Sequence, residues 1–324
     1  MLVAHREAST PCRITKSNDS LKEFLSWLLY VDMKLLHVQQ TSPVARHRHN
    51  RESILLALYH FGHMRHRELS RLVWPKASDA VRETSASRLL KRLCDEGYIV
   101  RRLNSIGSYS YVLGKQGAME ISNLLNIRVC DGTRICGVQG RDVFHRTLST
   151  AWMVEQLTSG REVLSEFAIN SLSGEITRSA LLQHWGRTPD GLVLHEVRDE
   201  AGNFIHYNVD WLEVEASYKG RAHREKMMDI AWSLGRQLLP NSPYYLDRMV
   251  FVFAKVSSHK GALVRSATEK LDATKQVVDD PESLLRSIAL VEVDVSLPLT
   301  IHGYTETDLF ACMKRDKRIQ AFHR

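Results

Sequence analysis

Four residues between positions 190 and 219 have the types and the order that metal-assisted cleavage of a phosphodiester requires. Asp190 follows Pro189, Glu213 and Glu215 are separated by one residue, and Lys219 comes four residues later. Carboxylate oxygens are the ligands that Mg²⁺ and Mn²⁺ prefer, whereas zinc prefers histidine and cysteine. We therefore expect the three carboxylates to hold Mg²⁺ or Mn²⁺. The lysine would stabilise the transition state or orient the attacking water.

Two predicted strands have to bring these side chains together. In residues 208–216, Glu213 and Glu215 fall on one face of the strand and apolar residues alternate with them. Like charges at this spacing are unfavourable unless a cation or a proton lies between them. Asp190 begins another apolar run, and the polar stretch 198–203 predicts a turn. The two strands are therefore expected to form a hairpin with the aspartate beside the glutamates.

The same residues also fit a purely structural interpretation, in which the acids lie on a solvated strand face and Pro-Asp marks a turn. Two further side chains are candidates for the site. Glu166 falls on a strand predicted over 163–169, and His145 falls on a helix predicted over 144–157. Either could complete a metal site or serve as an ordinary polar residue.

Length and charge divide the chain into two halves of different character. The 324 residues are enough for two domains with their own cores. Residues 1–130 carry 20 Lys and Arg against 11 Asp and Glu, whereas the remainder carries 24 against 26. A basic half joined to a slightly acidic half favours a protein that holds a polyanion, most simply nucleic acid, beside a carboxylate metal site.

The five cysteines are typical of a protein in a reducing compartment. They are odd in number and lack C-x-x-C spacing, which argues against a disulfide framework and against a structural zinc site. The first residues lack the apolar core of a signal peptide, and no apolar run approaches the length of a membrane span. We expect a soluble, cytoplasmic protein.

Three helices and a hairpin are predicted in the basic half. The helices cover 51–61, 65–73 and 79–96, and the hairpin strands cover 98–102 and 108–112. This order predicts a winged helix, in which the third helix enters the major groove of DNA and the wing follows the backbone. A solvated helix face or a protein-binding winged helix also fits the pattern. The candidate DNA contacts on the third helix and the wing are Thr84, Ser85, Ser87, Arg88, Lys91, Arg92, Arg101, Arg102, Tyr109 and Tyr111.

The basic half also contains a cluster of histidines. No alternating apolar strand surrounds the first of them, which argues against a metal site. We expect the group to be surface or DNA-facing residues that are partly protonated near neutral pH. Its members are His47, His49, His60, His63 and His66.

The second half is predicted to be an α/β unit, so that the whole chain is α/β, or α+β overall, with a central mixed sheet. After the first helix, strand and hairpin come a helix over 223–239, a strand over 249–256, a helix over 260–271 and a strand over 288–295. The predicted parts are an N-terminal extension (1–49) that ends in a basic connector (41–50), the winged helix (50–126), the second domain (140–300) and a C-terminal tail (301–324).

The order helix, three strands, helix, strand, with Asp190, Glu213-x-Glu215 and Lys219, resembles the PD-(D/E)xK restriction-endonuclease-like core. Together with the winged helix it resembles the MOB-C class of conjugative relaxases and the related plasmid replication-relaxation proteins, over residues 50–300. The resemblance implies an endonuclease that mobilises a plasmid or an integrative element. Such an enzyme would bind double-stranded DNA at an origin of transfer and nick one strand with Mg²⁺ or Mn²⁺, together with other relaxosome or coupling proteins. The usual nuclease pattern ends Glu-x-Lys, whereas Glu215 stands at the lysine position here.

Two other functions share these sequence features. A non-catalytic replication accessory or transfer regulator with a degenerate nuclease core would bind DNA without cutting it under any divalent ion. A restriction or transposition endonuclease would use the same metal chemistry but cut both strands. The topology of the product distinguishes the nuclease classes, because a relaxase yields nicked circles and the others yield linear DNA.

Overall fold

The computed structural model describes residues 42–104, 107–132, 141–171, 174–215, 220–255, 259–274, 280–296 and 300–315. Within these ranges the protein is mixed α/β, α+β overall, as the sequence predicts. A small three-stranded sheet lies in the N-terminal part, and a six-stranded mixed sheet lies in the C-terminal part. None of the helices in these ranges is long and apolar enough to cross a membrane.

The N-terminal part packs helices around an antiparallel sheet of order β1-β3-β2. The third helix buries a stripe of apolar residues, because Ala86, Leu89, Leu90 and Leu93 recur at helical spacing. Gly97 follows that helix at φ +76°, a conformation that glycine adopts without strain. The elements of this part are α1 (Pro43–Phe61), β1 (Met64–Arg65), α2 (His66–Val73), α3 (Asp79–Asp95), β2 (Ile99–Leu103), β3 (Tyr109–Leu113) and α4 (Lys115–Leu125).

The first helix begins earlier than the sequence indicates. The sequence predicts a connector over 41–50, but α1 already begins at Pro43. Proline is favoured in the first helical turn, and the backbone N–H of Ala45 donates to the Ser42 hydroxyl at 3.1 Å as an N-cap. Residues 43–50 have no fully buried side chain, so the apolar periodicity that would have revealed this helical segment is absent.

The C-terminal part is built on a sheet of order β4-β5-β6-β7-β8-β9. The β6–β7 and β7–β8 pairs are parallel, and the other pairs are antiparallel. The first three strands therefore form a meander, and helical crossovers reach the parallel strands. The elements are α5 (Arg141–Thr158), β4 (Glu162–Ser165), α6 (Glu166–Ser171), α7 (Arg178–Trp185), β5 (Gly191–Arg198), β6 (Phe204–Glu215), α8 (Arg221–Ala231), β7 (Tyr244–Ala254), α9 (His259–Thr274), α10 (Pro281–Arg286), β8 (Ile288–Ser296), β9 (Thr300–Asp308) and α11 (Leu309–Arg315).

Three stretches of this part differ from the sequence prediction. The strand predicted over 163–169 ends at Ser165, because its side-chain oxygen accepts from Ala168 N at 3.0 Å and begins α6. The helix predicted over 223–239 ends at Ala231 and is followed by turns. Residues 301–315, predicted as part of a tail, complete β9 and form α11. β9 is an edge strand of mostly polar residues, so it lacks the apolar alternation of an inner strand.

One continuous cluster of buried apolar side chains joins the N-terminal helices to one face of the six-stranded sheet. It runs from Leu55 and Leu69 through Trp152 on α5 to Val193 and Leu212 on the sheet. A second cluster covers the other face, under α8 and α9. The N-terminal part is therefore packed against the sheet through a shared core.

Two histidines that the sequence predicts at the surface, His60 and His63, are buried in this region. Ser165 donates its hydroxyl to the His60 carbonyl oxygen at 2.5 Å and its backbone N–H to His60 Nε2 at 3.3 Å. Burial lowers the pKa of His60 to about 3, although a hydrogen bond with the backbone of Val163 acts to raise it. Burial, with the charge of Arg146, lowers the pKa of His63 to about 4. Both side chains are neutral at physiological pH, and the surface prediction is wrong for them.

Candidate functional site

Asp190 lies immediately before β5, at the end of the β5–β6 hairpin that the sequence predicts. Its backbone N–H donates to Leu212 O at 2.9 Å, which extends the ladder by one residue beyond the Gly191–Leu212 pair. Its side chain is fixed as well, because the backbone N–H of Val214 donates to Asp190 Oδ2 at 2.7 Å. The carboxylate is therefore held at the strand end by the backbone of the strand that carries both glutamates.

Gly191 allows the sheet and α5 to approach closely beside this carboxylate. A Cβ at this position would lie 2.6 Å from Met153 Sδ and 3.3 Å from both Leu164 O and Leu212 Cδ2. A Cβ here would require the Met153 side chain to move aside, and it would also press on the backbone oxygen of Leu164. Close packing around Gly191 therefore helps to fix the position of the neighbouring Asp190.

Glu213 and Glu215 lie on the same face of β6 as Trp211, as their spacing predicts, and both are buried. The Glu213 side chain is fully inaccessible to solvent. Burial raises the pKa of Glu213, the negative charge of Asp190 raises it further, and Arg187 opposes both effects. A charge buried in this way requires a partner of opposite sign.

That partner is Arg187, a residue that the sequence analysis did not identify. It lies between α7 and β5, three residues before Asp190. Its Nε donates to Glu213 Oε1 at 2.7 Å, and its Nη2 donates to Oε2, so the pair is bidentate. Trp211 Nε1 also donates to Glu213 Oε1, at 2.8 Å. Burial acts to lower the pKa of Arg187, but the three acidic neighbours raise it above its ordinary value.

His223, in the first turn of α8, contacts the same guanidinium. Its Nε2 lies 2.8 Å from Arg187 Nη1 and its Nδ1 lies 3.2 Å away. Because the guanidinium only donates hydrogen bonds, the histidine nitrogen facing it accepts and carries no proton. The sequence analysis placed His223 at a helix start and assigned it no role in the site.

The two additional candidates, His145 and Glu166, lie beside Asp190. His145 Nε2 is 2.9 Å from Asp190 Oδ1, and Ser149, one turn further along α5, donates its hydroxyl to Asp190 O at 3.1 Å. Glu166 lies at the start of α6 and not on the predicted strand, and its carboxylate is 3.8 Å from Arg146 Nε. The short β4 strand and the helix that follows it bring Glu166 to the site.

Among the described residues, the potential metal ligands fall into two groups, and Asp190 belongs to a different group from Glu213 and Glu215, with which the sequence predicts it to share one site. His145, Glu166 and Asp190 form one, and Glu213, Glu215 and His223 form the other. In each group the potential ligand atoms lie within 4.8 Å of one another. Atoms bound to one Mg²⁺ at about 2.1 Å are at most about 4.2 Å apart, so small side-chain adjustments would suffice. Two carboxylates and one imidazole in each group fit Mn²⁺ well, and they fit Mg²⁺ through their oxygens.

Lys219, the predicted basic residue, lies outside the described residues. Arg187 is the cation that contacts the Glu213 carboxylate. The site therefore has a basic side chain that comes from the segment before β5, whereas the sequence pattern indicates one after β6.

The predicted DNA contacts on α3 are mostly exposed. Thr84, Ser87, Arg88, Lys91 and Arg92 are exposed and Ser85 is half-buried. On the hairpin, Arg101, Arg102 and Tyr109 are exposed, and the Arg101 guanidinium lies 4.3 Å from the centre of the Tyr109 ring. The helical segment of α1 that replaces the predicted connector adds to this basic region. Burial, with the positive charges of Arg92 and Arg51, lowers the pKa of His47.

Tyr111 is the exception among these residues, and its prediction as a DNA contact is wrong. Its exposed fraction is 8%, and it belongs to the core. The two-residue period of a strand places Tyr109 and Tyr111 on one face, but β1 pairs with β3 only at Tyr111 and Ser110, so Tyr109 lies beyond the end of β1. A third strand so short has no recognisable sequence pattern.

No protein-family model, curated protein or solved structure matches the chain. Around the ends of β5 and β6, the two candidate groups together offer four carboxylates and two imidazoles. Carboxylates in this number suit a divalent cation, and a guanidinium next to them suits a phosphate. The chemistry of these side chains is therefore compatible with a divalent cation and a phosphate group in the same place.

Proposed function

We propose that this protein is a Mg²⁺- or Mn²⁺-dependent DNA endonuclease. The observation that carries the proposal is that Asp190, fixed by the backbone N–H of Val214 and by His145, belongs to one group of potential ligands, while Arg187 interacts both with it and with the two glutamates of the second group. A purely structural carboxylate at a strand end would not need two such groups of acidic and imidazole side chains. In the proposed core, of the PD-(D/E)xK type, the acids of the second and third strands meet at the metal site.

A bound divalent cation would supply a Lewis acid for the scissile phosphate and lower the pKa of a coordinated water. The carboxylates of Asp190, Glu213 and Glu215 would hold it, which requires the two groups of ligands to draw together around one ion, and Glu166 and His145 would complete the ligand set. The hydrogen bond from Val214 N–H would hold the Asp190 carboxylate in position for the cation in the metal-free protein. Arg187 and Lys219 would face the negative charge of the phosphate.

The N-terminal part would hold the DNA as a winged helix. Its third helix presents Arg88, Lys91 and Arg92 to solvent, and its hairpin presents Arg101 and Arg102. Phosphate contacts of this kind are sequence-independent and weaken steeply with salt. The shared core between the two parts would keep bound DNA at a fixed position relative to Asp190.

In its finer form, the proposal is a relaxase of the MOB-C type from a plasmid or an integrative element. Such an enzyme would bind an origin of transfer, nick one strand and work with other relaxosome or coupling proteins. A restriction or transposition endonuclease remains the alternative among nucleases, because it would use the same carboxylates.

One contact favours a second candidate, a non-catalytic DNA-binding accessory or regulator with a degenerate nuclease core. Glu213 is already neutralised by the bidentate pair with Arg187, so the carboxylate has less need of a metal. In a degenerate core such an ion pair would replace the metal permanently. DNA binding would then persist without cleavage.

The test is a plasmid-cleavage assay. Supercoiled plasmid carrying DNA from beside the gene is incubated with protein and Mg²⁺, Mn²⁺ or EDTA, and the products are separated on a gel. The variants are Asp190→Asn and Glu213→Gln, which keep the size of the side chain. Asp199→Asn is the matched control, because Asp199 is an exposed carboxylate in the turn of the same hairpin.

Metal-dependent cleavage by wild type and by Asp199→Asn, but not by the two site variants, is the expected result. Open circles would favour the relaxase, and linear product would favour a double-strand endonuclease. An intact plasmid with every divalent ion, despite demonstrable DNA binding, would favour the accessory protein. Cleavage by Asp190→Asn at the wild-type rate would refute the assignment of the site.

A further inference from the structure

We propose that Arg187 is a latch on the metal site, which holds Glu213 until a DNA phosphate draws the guanidinium away. Metal binding and DNA binding would then be positively coupled. The inference rests on the proposed nuclease function and adds a mode of regulation to the same site.

The hydrogen bonds of Glu213 leave little room for a cation while Arg187 is in place. A carboxylate has about four lone-pair sites in total, two on each oxygen. Oε1 accepts from Arg187 Nε at 2.7 Å and from Trp211 Nε1 at 2.8 Å, and Oε2 accepts from Arg187 Nη2. A divalent ion would meet at most one remaining lone pair, beside a positive guanidinium that repels it.

The position of Arg187 allows it to change partners. It lies in the short segment between α7 and β5, and 13% of its side chain is exposed, whereas none of the Glu213 side chain is. The planar guanidinium matches a phosphate in the same bidentate way as a carboxylate. His223 accepts from its remaining Nη1 edge and would guide the side chain as it turns toward the substrate.

Loss of Arg187 from Glu213 would reverse the electrostatics of the site. With the latch closed, the guanidinium balances one negative charge next to Asp190 and Glu215, both of which also interact with it. With the latch open on a phosphate, three carboxylates lie close together without that cation. A divalent ion is then the natural counter-charge, and by linkage the bound metal favours DNA to the same extent.

The test measures Mn²⁺ affinity with and without DNA. Free Mn²⁺ is counted by electron paramagnetic resonance during titration of wild type, alone or with saturating duplex DNA, at low temperature before cleavage accumulates. A titration of the duplex alone corrects for Mn²⁺ on DNA. Arg187→Gln removes the latch, and Arg187→Lys keeps the charge but loses the bidentate fork, which provides a second variant should the first fold poorly. Arg221→Gln is the matched control, because Arg221 is an exposed arginine at the start of α8 that pairs with Glu225.

For wild type and Arg221→Gln, we expect DNA to tighten Mn²⁺ binding about tenfold or more. Arg187→Gln should bind Mn²⁺ without DNA more tightly than wild type does without DNA, because the ion has to displace only a proton from Glu213 and not the guanidinium, and added DNA should change its affinity less than about twofold. It should nevertheless cleave at least about 100-fold more slowly, because the phosphate loses its guanidinium. Arg187→Lys should lie between the two.

Weaker Mn²⁺ binding by Arg187→Gln, or coupling to DNA as strong as in wild type, would overturn the latch even where wild type cleaves normally. Absence of both Mn²⁺ binding and cleavage in every protein would instead refute the proposed function, and the latch with it. The two failures are therefore distinguishable.

Discussion

Replacement of Arg187 by methionine should destabilise the protein by an amount that depends strongly on pH. Methionine fills much of the same space but leaves Glu213 without its bidentate partner, and the Glu213 side chain is fully buried. Removal of one member of a buried ion pair typically lowers stability by about 3–5 kcal/mol. Glu213 can limit that loss by taking up a proton.

The largest loss of stability that protonation allows follows from the pKa of the Glu213 carboxyl in the unfolded chain. In the unfolded chain Glu213 has its ordinary pKa of 4.5. Holding it protonated at pH 7 therefore costs about 1.4 kcal/mol per pH unit over 2.5 units, or about 3.5 kcal/mol. At pH 5 the same calculation gives about 0.7 kcal/mol. The charge-related loss in the variant should fall about fivefold between these two values of pH.

Proton linkage determines whether the stability difference between wild type and Arg187→Met grows or shrinks with pH. Without Arg187 the folded-state pKa of Glu213 lies further above its unfolded value, so the folded protein binds a proton that the unfolded chain releases. Stability gained in this way is complete below pH 4.5 and is lost as the pH rises toward the folded-state pKa. The difference between wild type and Arg187→Met should therefore grow from pH 5 to pH 8.

Urea unfolding at pH 5, 6, 7 and 8, followed by circular dichroism, measures this difference. The double variant Arg187→Met/Glu213→Gln removes the charge and should recover most of the loss at pH 7. Arg221→Met removes an exposed arginine that pairs with Glu225, and it should leave the unfolding free energy unchanged. A loss that is the same at all four values of pH would refute the view that an unpaired buried charge is its cause.

Three further predictions concern the core and the proposed DNA-binding surface. The pKa of His60 falls from 6.5 to about 3 on folding, so wild type should lose about 1.4 kcal/mol of stability per pH unit as the pH falls from 6.5 toward 4. In thermal unfolding, the stability of His60→Asn should therefore decrease less steeply with falling pH. Gly191→Ala should lower the urea-unfolding free energy by about 1–3 kcal/mol, since its Cβ would overlap Met153 Sδ; an unchanged value would show that the Met153 side chain moves aside at no cost. Arg88→Ala should weaken DNA binding and reduce the salt slope measured by fluorescence anisotropy by about one, whereas Tyr111→Phe in the core should leave both unchanged.

Local patterns predicted the parts of the fold that depend on neighbouring residues. The β5–β6 hairpin follows from alternation and from the polar turn at 198–203, and α3 follows from its apolar stripe and Gly97. The segments that were missed lack such patterns. The first turns of α1 bury no side chain, and β9 is a polar edge strand, so neither shows a periodicity that could reveal it.

The residues of the candidate site also differ in whether a local sequence pattern could predict their positions. Asp190, Glu213 and Glu215 could be placed because a hairpin and a two-residue period determine where they lie. Arg187 and His223 could not, because their meeting depends on how α7 and α8 pack against the sheet. The available signal was the basic residue three positions before Asp190, in a segment short enough to keep it near the strand end.

The shared core holds the N-terminal part at a fixed position relative to the candidate site on the six-stranded sheet. In addition to the apolar cluster, Arg71 on α2 donates to Glu155 on α5 at 2.5 Å, although burial raises the pKa of that carboxyl. The same helix α5 carries His145, which contacts Asp190 at 2.9 Å. One helix therefore links the N-terminal part to the Asp190 carboxylate. In the proposed nuclease this packing would keep bound DNA at a single position relative to the site, whereas a flexible linker would let the cut fall at variable distances.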